Sequence, residues 1–335
     1  MQSTLRTILC FSALWLFIQA AHPARAAQGY EHFIVGDAAD VVTDTQGLLV
    51  LHGGGTDIDD VFVRMGQAAG GGDFLVLRAS GTDAYNPYIY ELCGCDSVET
   101  IIFKNRQAAF DPFVISRIRN AEALWLAGGD QSNYVTYWKD TPVESEINAL
   151  AREAPVGGLS AGAAVLGEFV YSAMSASSLT SSEGLSNPFH RDLTLDRGFL
   201  ALPKMDGLIT DQHLEERDRM GRTVTFLARL VSDGWTSEGR AVAADRETAL
   251  VLAPDGSAHV LSTRNHRTPY VYFLRTPGPP EVCLPNTPLT YRNIAVYRVG
   301  PGGTFNVATW AGKQGTAYTL SAEDGVLTSS RGQIY

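Results

Sequence analysis

Ser160 stands between two glycines in Gly158-Leu159-Ser160-Ala161-Gly162, where the apolar run APVGGLS (154–160) gives way to AGAAVLGEF. A hydroxyl at a sharp strand-to-helix turn is placed to attack a carbonyl. Small residues on both sides let the turn close, and the next N–H, that of Ala161, points toward a developing oxyanion. The same residue types also build packing turns, so the motif alone does not decide. A nucleophilic serine needs a base. Among His32, His52, His190, His213, His259 and His266, His213 is singled out by its setting: DGLIT ends at Asp211-Gln212-His213, and a helix follows with Met220, Val224, Leu227 and Val231 as its inward stripe. Helical spacing carried back from that stripe puts His213 and Arg217 on its inward side, with Arg219 and Arg222 close by.

The elements that must position these residues follow from alternation along the chain. GLLVLHGG (47–54), DFLVLRAS (73–80), VETIIF (98–103), ALWLAGG (123–129), APVGGLS (154–160) and DGLIT (206–210) are short apolar runs that end in Gly or polar turns, as buried parallel strands do. Between them, TPVESEINALAREA (141–154) reads as a helix, with Thr141 as cap, Pro142 at its first position and Glu144 completing a capping box. The pattern predicts a mostly parallel, doubly wound α/β sheet with its site at the carboxyl ends of the strands. After about residue 240 the texture becomes β-rich, with hairpins expected on Asp255-Gly256 and on Gly300-Pro301-Gly302-Gly303. The expected division is a leader over 1–26, an α/β domain over 27–265 and a β-hairpin extension over 266–335.

GGDQSNY (128–134), GGLSAGA (157–163) and DQHLEERDRMGR (211–222), in that order, resemble the cyanophycinase and dipeptidase E group of serine peptidases. The resemblance implies an α/β sandwich related to class I glutamine amidotransferases, with Ser in place of Cys. It implies Ser160 as nucleophile through an acyl-enzyme and His213 as base. It also implies an oxyanion hole from the N–H groups of Ala161 and of Gly128 or Gly129. Gln131, Asp211, Gln212, Arg217, Arg219 and Arg222 match pocket positions, and guanidinium groups suit a substrate carboxylate. The implied substrate is a β-linked aspartyl peptide such as cyanophycin, released as β-Asp-Arg, with no cofactor and no metal. One departure stands out. The family's third triad member is a Glu in a turn like Asp-Glu-x-Thr-Ala, and here the stretch is Asp245-Arg246-Glu247-Thr248-Ala249. Asp245 or Glu247 is then the orienting acid, or the acid is absent and the protein is a binding protein of degenerate enzyme type.

LVLHGGG (49–55) and GLSAGA also fit an esterase of the α/β-hydrolase type, with His259 or His266 as base, but that reading leaves GGDQ and DQH with its arginines unexplained. His190-Arg191-Asp192-Leu193 looks like a kinase catalytic loop, yet Arg197 occupies the place of the required Asn. No assigned role falls to Glu168, Glu183 or Glu215, carboxylates near the motifs that could meet a cationic substrate.

The first residues have the form of a secretory leader. MQSTLR is followed by the uncharged apolar run TILCFSALWLFIQAA and by Ala24-Arg25-Ala26, a small-x-small cleavage pattern. The run is short of the ~20 residues of a membrane span, so the expectation is a secreted or periplasmic chain from about Ala27. A formal net charge of −10 argues against a nucleic-acid partner; a homodimer is compatible. In an oxidising compartment a disulfide from Cys93 or Cys95 to Cys283 would be expected.

Overall fold

The computed structural model describes residues 29–175, 177–263 and 269–335. The leader expected over 1–26 and the alternative base His266 lie outside them. The strands are, in chain order, β1 Tyr30–Gly36, β2 Leu48–His52, β3 Asp73–Arg78, β4 Ser97–Phe103, β5 Ala123–Leu126, β6 Pro155–Leu159, β7 Phe169–Tyr171, β8 Leu195–Arg197 and β9 Leu208–Gln212. The second half adds β10 Arg240–Ala244, β11 Thr248–Leu252, β12 Ser257–Ser262, β13 Val271–Arg275, β14 Tyr291–Val299, β15 Thr304–Asn306, β16 Ala311–Lys313, β17 Thr316–Glu323 and β18 Val326–Ser329. The helices are α1 Asp59–Ala68, α2 Tyr85–Cys93, α3 Pro112–Arg119, α4 Gln131–Trp138, α5 Pro142–Leu150, α6 Ala161–Ala164, α7 Ser181–Ser186 and α8 Met220–Ser232.

Two sheets result. The larger has the order β1-β4-β3-β5-β6-β2-β11-β12-β15-β16, with β4, β3, β5, β6 and β2 parallel to one another. These five strands are almost entirely buried, which is why they read as continuous apolar runs and not as alternating ones. The second has the order β18-β17-β14-β13-β10-β9-β7-β8. The layers follow from side-chain alternation. On β5, Trp125 packs with α1 and α2 residues such as Phe62 and Ile89 on one face, while Leu124 and Leu126 turn to the other, with Val114, Trp138 and Ile147 of the helices α3 to α5. On β10 and β13, Val242, Ala244, Val271 and Phe273 join that same core, and Ala241, Ala243, Tyr272 and Leu274 face Val224 and Leu227 of α8. The α/β architecture with a large parallel sheet and an added β-rich region is the expected one.

Several local expectations need correction. DGLIT becomes β9, but it lies in the second sheet beside β10 and β7, not in the main parallel sheet. Asp255-Gly256 does turn a hairpin, between β11 and β12. Gly300 to Gly303 do not: β14 pairs with β13 and β17 in one sheet, while β15 pairs with β12 and β16 in the other. Phe305 of β15 stacks on Phe273 of β13 at 3.7 Å between ring centroids, so the turn carries the chain across the core. The capping box at Thr141 is absent. The Thr141 hydroxyl donates to the Trp138 carbonyl at 2.5 Å, and Glu144 accepts from the Asp140 N–H instead. The cysteines also pair differently: Cys93 bonds to Cys95, and Cys283 is a free thiol. Cys93 and Cys95 belong to the core under α2 and Cys283 packs against the core under α8, on opposite sides of the two sheets.

Candidate active site

Ser160 is the single residue between β6 and α6, with φ 52° and ψ −111°. A positive φ on a residue with a side chain is an uncommon, strained conformation. The flanking glycines make it attainable: a Cβ on Gly158 would lie 2.5 Å from the Gly162 carbonyl carbon, and one on Gly162 would lie 1.9 Å from the Leu126 oxygen. The helix thus folds back directly over β5 and β6. The Ser160 N–H donates to the His52 carbonyl at 3.1 Å, which fixes the turn to the end of β2.

Ser160 Oγ lies 3.0 Å from His213 Nε2. His213 comes from the other sheet, one residue past β9, also at positive φ (54°). Its N–H donates to the Gly53 carbonyl at 2.8 Å, and Gly54 lies so close to its ring that a Cβ there would sit 2.1 Å from Nε2. The other ring nitrogen, Nδ1, is 2.6 Å from a carboxylate oxygen of Glu216. Burial lowers the His213 pKa below the ordinary histidine value; the Glu216 hydrogen bond works against this, and the charges of Arg217 and Arg219 add to it. His213 is therefore neutral and able to accept a proton at neutral pH. At Glu216 burial opposes ionisation, but the hydrogen bond from His213, with Arg217 and Arg246 nearby, holds its carboxyl below the usual value. The arrangement can activate a serine hydroxyl and keep the imidazole in the tautomer that accepts its proton.

The cleft at Ser160 is walled by Gly129, Asp130, Gln131, Ala161, Gln212 and the arginines, with Ser175, Ser177 and Ser178 on the far side. Residues 213 to 219 form a turn and not the first coils of α8, so Arg217 reaches the cleft from an exposed loop. Arg222 is different. It is 2 % exposed and paired with Asp211, its Nε donating at 3.0 Å and its Nη2 to the second carboxylate oxygen. Thr223 Oγ1 also donates to Asp211, at 2.7 Å. Burial opposes the Asp211 charge, but Arg222 outweighs it and holds the carboxyl below its usual value. Arg219 donates to the Gln212 carbonyl at 2.9 Å. Burial, then repulsion from Arg222, lowers its pKa to about 10, so it stays charged. Among the described residues neither Arg217 nor Arg219 makes an ion pair. The cleft therefore presents uncompensated positive charge beside the serine.

The remaining expected residues fall as follows. Gly129 (φ 151°) lines the cleft; Gly128 lies behind it, where a Cβ would be 3.7 Å from that of Ser160. Asp130 caps α4 through the Ser132 N–H, and this aims Gln131 along the cleft, its amide donating to the Tyr171 carbonyl at 3.3 Å. Gln212 is held by Thr210. Neither carboxylate expected as the orienting acid reaches His213. Glu247 accepts from Thr56 and Thr263 and pairs with Arg246, and Asp245 accepts from the backbone N–H groups of Glu215 and Arg246. Glu216, three residues past the histidine, is the residue that sequence reasoning passed over. Reading 213–219 as helix hid the turn that folds it back. Glu168 bonds the Gly207 N–H, Glu183 caps α7 and Glu215 lies beside Asp245; none lines the cleft. His259, the base of the esterase reading, is on β12, three strands from β6. His52 is buried and held neutral, its pKa lowered to about 3 by burial and then by His213. Its loop offers carbonyls, not N–H groups, to Ser160 and His213.

Two outcomes follow. Gly54→Ala forces the His213 ring away from Ser160 and should lower kcat on the order of 10²-fold, with a lowered thermal midpoint because φ 102° also strains an alanine; parental kcat in the folded variant would show that the ring has room. A base held below the ordinary histidine pKa gives a kcat/KM that is lost on acidification with a midpoint below about 6.5; a midpoint above 7 would contradict the assignment.

No model of a known protein family matches the chain. It is 26 % identical over 222 residues to a cyanophycinase of Trichormus variabilis, covering 65 % of this chain and 68 % of that one. It is 23 % identical over 284 residues to a cyanophycinase of Synechococcus elongatus, covering 79 % and 80 %. The fold is similar to the crystal structure of a peptidase from an acI-B1 Actinobacterium, with a TM-score of 0.51 at 16 % identity over 78 % of this chain and 98 % of that one. Taken with the Ser160 and His213 motifs, these likenesses indicate a serine-type peptidase similar to the cyanophycinase and dipeptidase E group.

Proposed function

We propose that this peptidase is exported and cleaves amides of β-linked aspartyl peptides, such as the polymer cyanophycin, through an acyl-enzyme on Ser160. The observation that carries the reading is the 3.0 Å contact of Ser160 Oγ with His213 Nε2 at the edge of a cleft walled by arginines. Ser160 Oγ attacks the carbonyl carbon while His213 Nε2 takes its proton and Glu216 steadies the imidazolium through Nδ1. The developing oxyanion meets the N–H groups of Ala161 and Gly129. The tetrahedral adduct collapses as His213 returns the proton to the leaving nitrogen; water then enters by the same route and releases the acid.

Substrate choice follows from charge. Arg222 is already neutralised by Asp211, and its task is to hold the wall. Arg217 and Arg219 are free to grip a carboxylate. An amino acid joined through its amine to an aspartyl side chain keeps its own carboxylate free, within the compass of such a cleft. Export rests on the leader pattern before Ala27. An exported enzyme of this kind acts on polymer already released to the outside.

The test uses the full mature chain. A fluorophosphonate should label the parent and not Ser160→Ala, and β-aspartyl peptides or cyanophycin should be hydrolysed while their α-linked isomers are not. Arg219→Gln should lower kcat/KM about 10–100-fold, the worth of one charged hydrogen bond. Equal rates on α- and β-linked isomers would overturn the substrate assignment.

A further inference from the structure

Away from the serine cleft, Glu183, His190 and Asp192 each bring one ligand-type atom to within 4.8 Å of the others. The Asp192 side chain is only 7 % exposed, yet among the described residues no N–H or O–H group hydrogen-bonds to its carboxylate. The nearest cationic groups are His190 Nδ1 at 3.8 Å and the guanidinium of Arg191 at 3.7 Å, the latter on a side chain that is 86 % exposed. Neither is within hydrogen-bond distance, and a buried carboxylate without a hydrogen-bond donor is unfavourable.

The neighbouring groups sharpen the demand. Glu183 Oε2 takes both the N–H and the hydroxyl of Thr180 in the α7 capping box, which orients the carboxylate and leaves Oε1 over. At His190 the Asp192 N–H points to Nδ1 at 3.3 Å, so a lone pair and not a proton faces this side of the ring. Two carboxylates and an imidazole acceptor then converge on one small space, and a cation among them would take the Nδ1 lone pair in place of the long Asp192 N–H contact.

We propose that Glu183, His190 and Asp192 bind a divalent transition cation of the Zn²⁺ type. An imidazole with two carboxylates is a donor set for Zn²⁺, whereas Ca²⁺ and Mg²⁺ favour oxygen alone. Glu183 and His190 are half-exposed, which leaves an entry path and room for water as further ligand. The site braces the far wall of the serine cleft. The Tyr171 hydroxyl donates to the Asp192 carbonyl and accepts the Leu179 N–H, and Ser178 beside it takes a hydrogen bond from Arg222. An ion at Asp192 therefore ties Tyr171, Leu179 and Asp192 together behind Ser177 and Ser178. The proposal stands independently of the substrate.

Calorimetric titration of the metal-stripped full chain with Zn²⁺ at pH 7.5 tests it. One Zn²⁺ should bind per chain with release of protons, raise the thermal midpoint, and not be displaced by excess Ca²⁺. Asp192→Asn and His190→Ala should each weaken binding by more than the ~10–100-fold typical of outer-shell changes, while Arg191→Gln leaves it unchanged. Thermal unfolding in chelator shows whether each variant is folded, and His190→Gln serves if His190→Ala is not. Absence of Zn²⁺ binding by the parent, or binding indifferent to both ligand substitutions, would overturn the proposal.

Discussion

Ser160 and His213, the proposed nucleophile and base, belong to different sheets, and the backbone at His52 to Gly54 sets the distance between them. The His52 carbonyl takes the N–H of Ser160 from β6, and the next carbonyl, of Gly53, takes the N–H of His213 from the end of β9. Gly54 then lies flat against the imidazole and offers its own carbonyl to Glu247. No side chain fits there: a Cβ on Gly53 would lie 1.9 Å from the Asp245 oxygen. Three consecutive residues thus hold two strained turns, each at positive φ, in register across the seam between the sheets. A motif that suggests an oxyanion loop in the sequence is, in the fold, the clasp that joins the two halves of the site.

Charge is divided by depth. Asp211 and Arg222 are both buried and bonded to each other, and such a pair tolerates loss of either partner badly. Its contribution is geometric, since it fixes α8 against β9 and with them the turn that bears His213. Arg217 and Arg219 carry the charge that a substrate can use. The orienting carboxylate has changed position in a related way. Arg246 occupies the place where the family pattern has its acid, and it pairs with Glu247, which is bonded further to Thr56 and Thr263. Asp245 accepts the N–H of Glu215 at 2.9 Å, and this holds the turn so that the next residue, Glu216, faces Nδ1. In this chain the carboxylate on Nδ1 comes from the histidine's own loop, and the 245–247 turn supports it.

What the sequence made legible was whatever depends on local pattern. Buried parallel strands announce themselves as apolar runs, and Ser160 and His213 could be singled out because GGDQ, GGLSAGA and the Asp-Gln-His run occur together in that order. What depends on the partner strand was not legible. β9 has the same apolar texture as the main-sheet strands but belongs to the other sheet, and the glycines from 300 to 303 look alike whether they reverse a hairpin or cross the core. Glu216 was missed for the same reason. A turn begun by a histidine at φ 54° has no simple signature, and a helix drawn through 213 to 219 sends that side chain elsewhere. With a carboxylate on Nδ1, the reason for reading the chain as a degenerate binder is gone.

The central claim is that Glu216 orients the catalytic histidine. Comparing kcat for Glu216→Gln and Glu247→Gln on a β-aspartyl substrate tests it most directly. Loss of the orienting carboxylate should cost Glu216→Gln on the order of 10³–10⁴-fold, with Glu247→Gln near the parent. A large loss in Glu247→Gln with a nearly unimpaired Glu216→Gln would contradict the account.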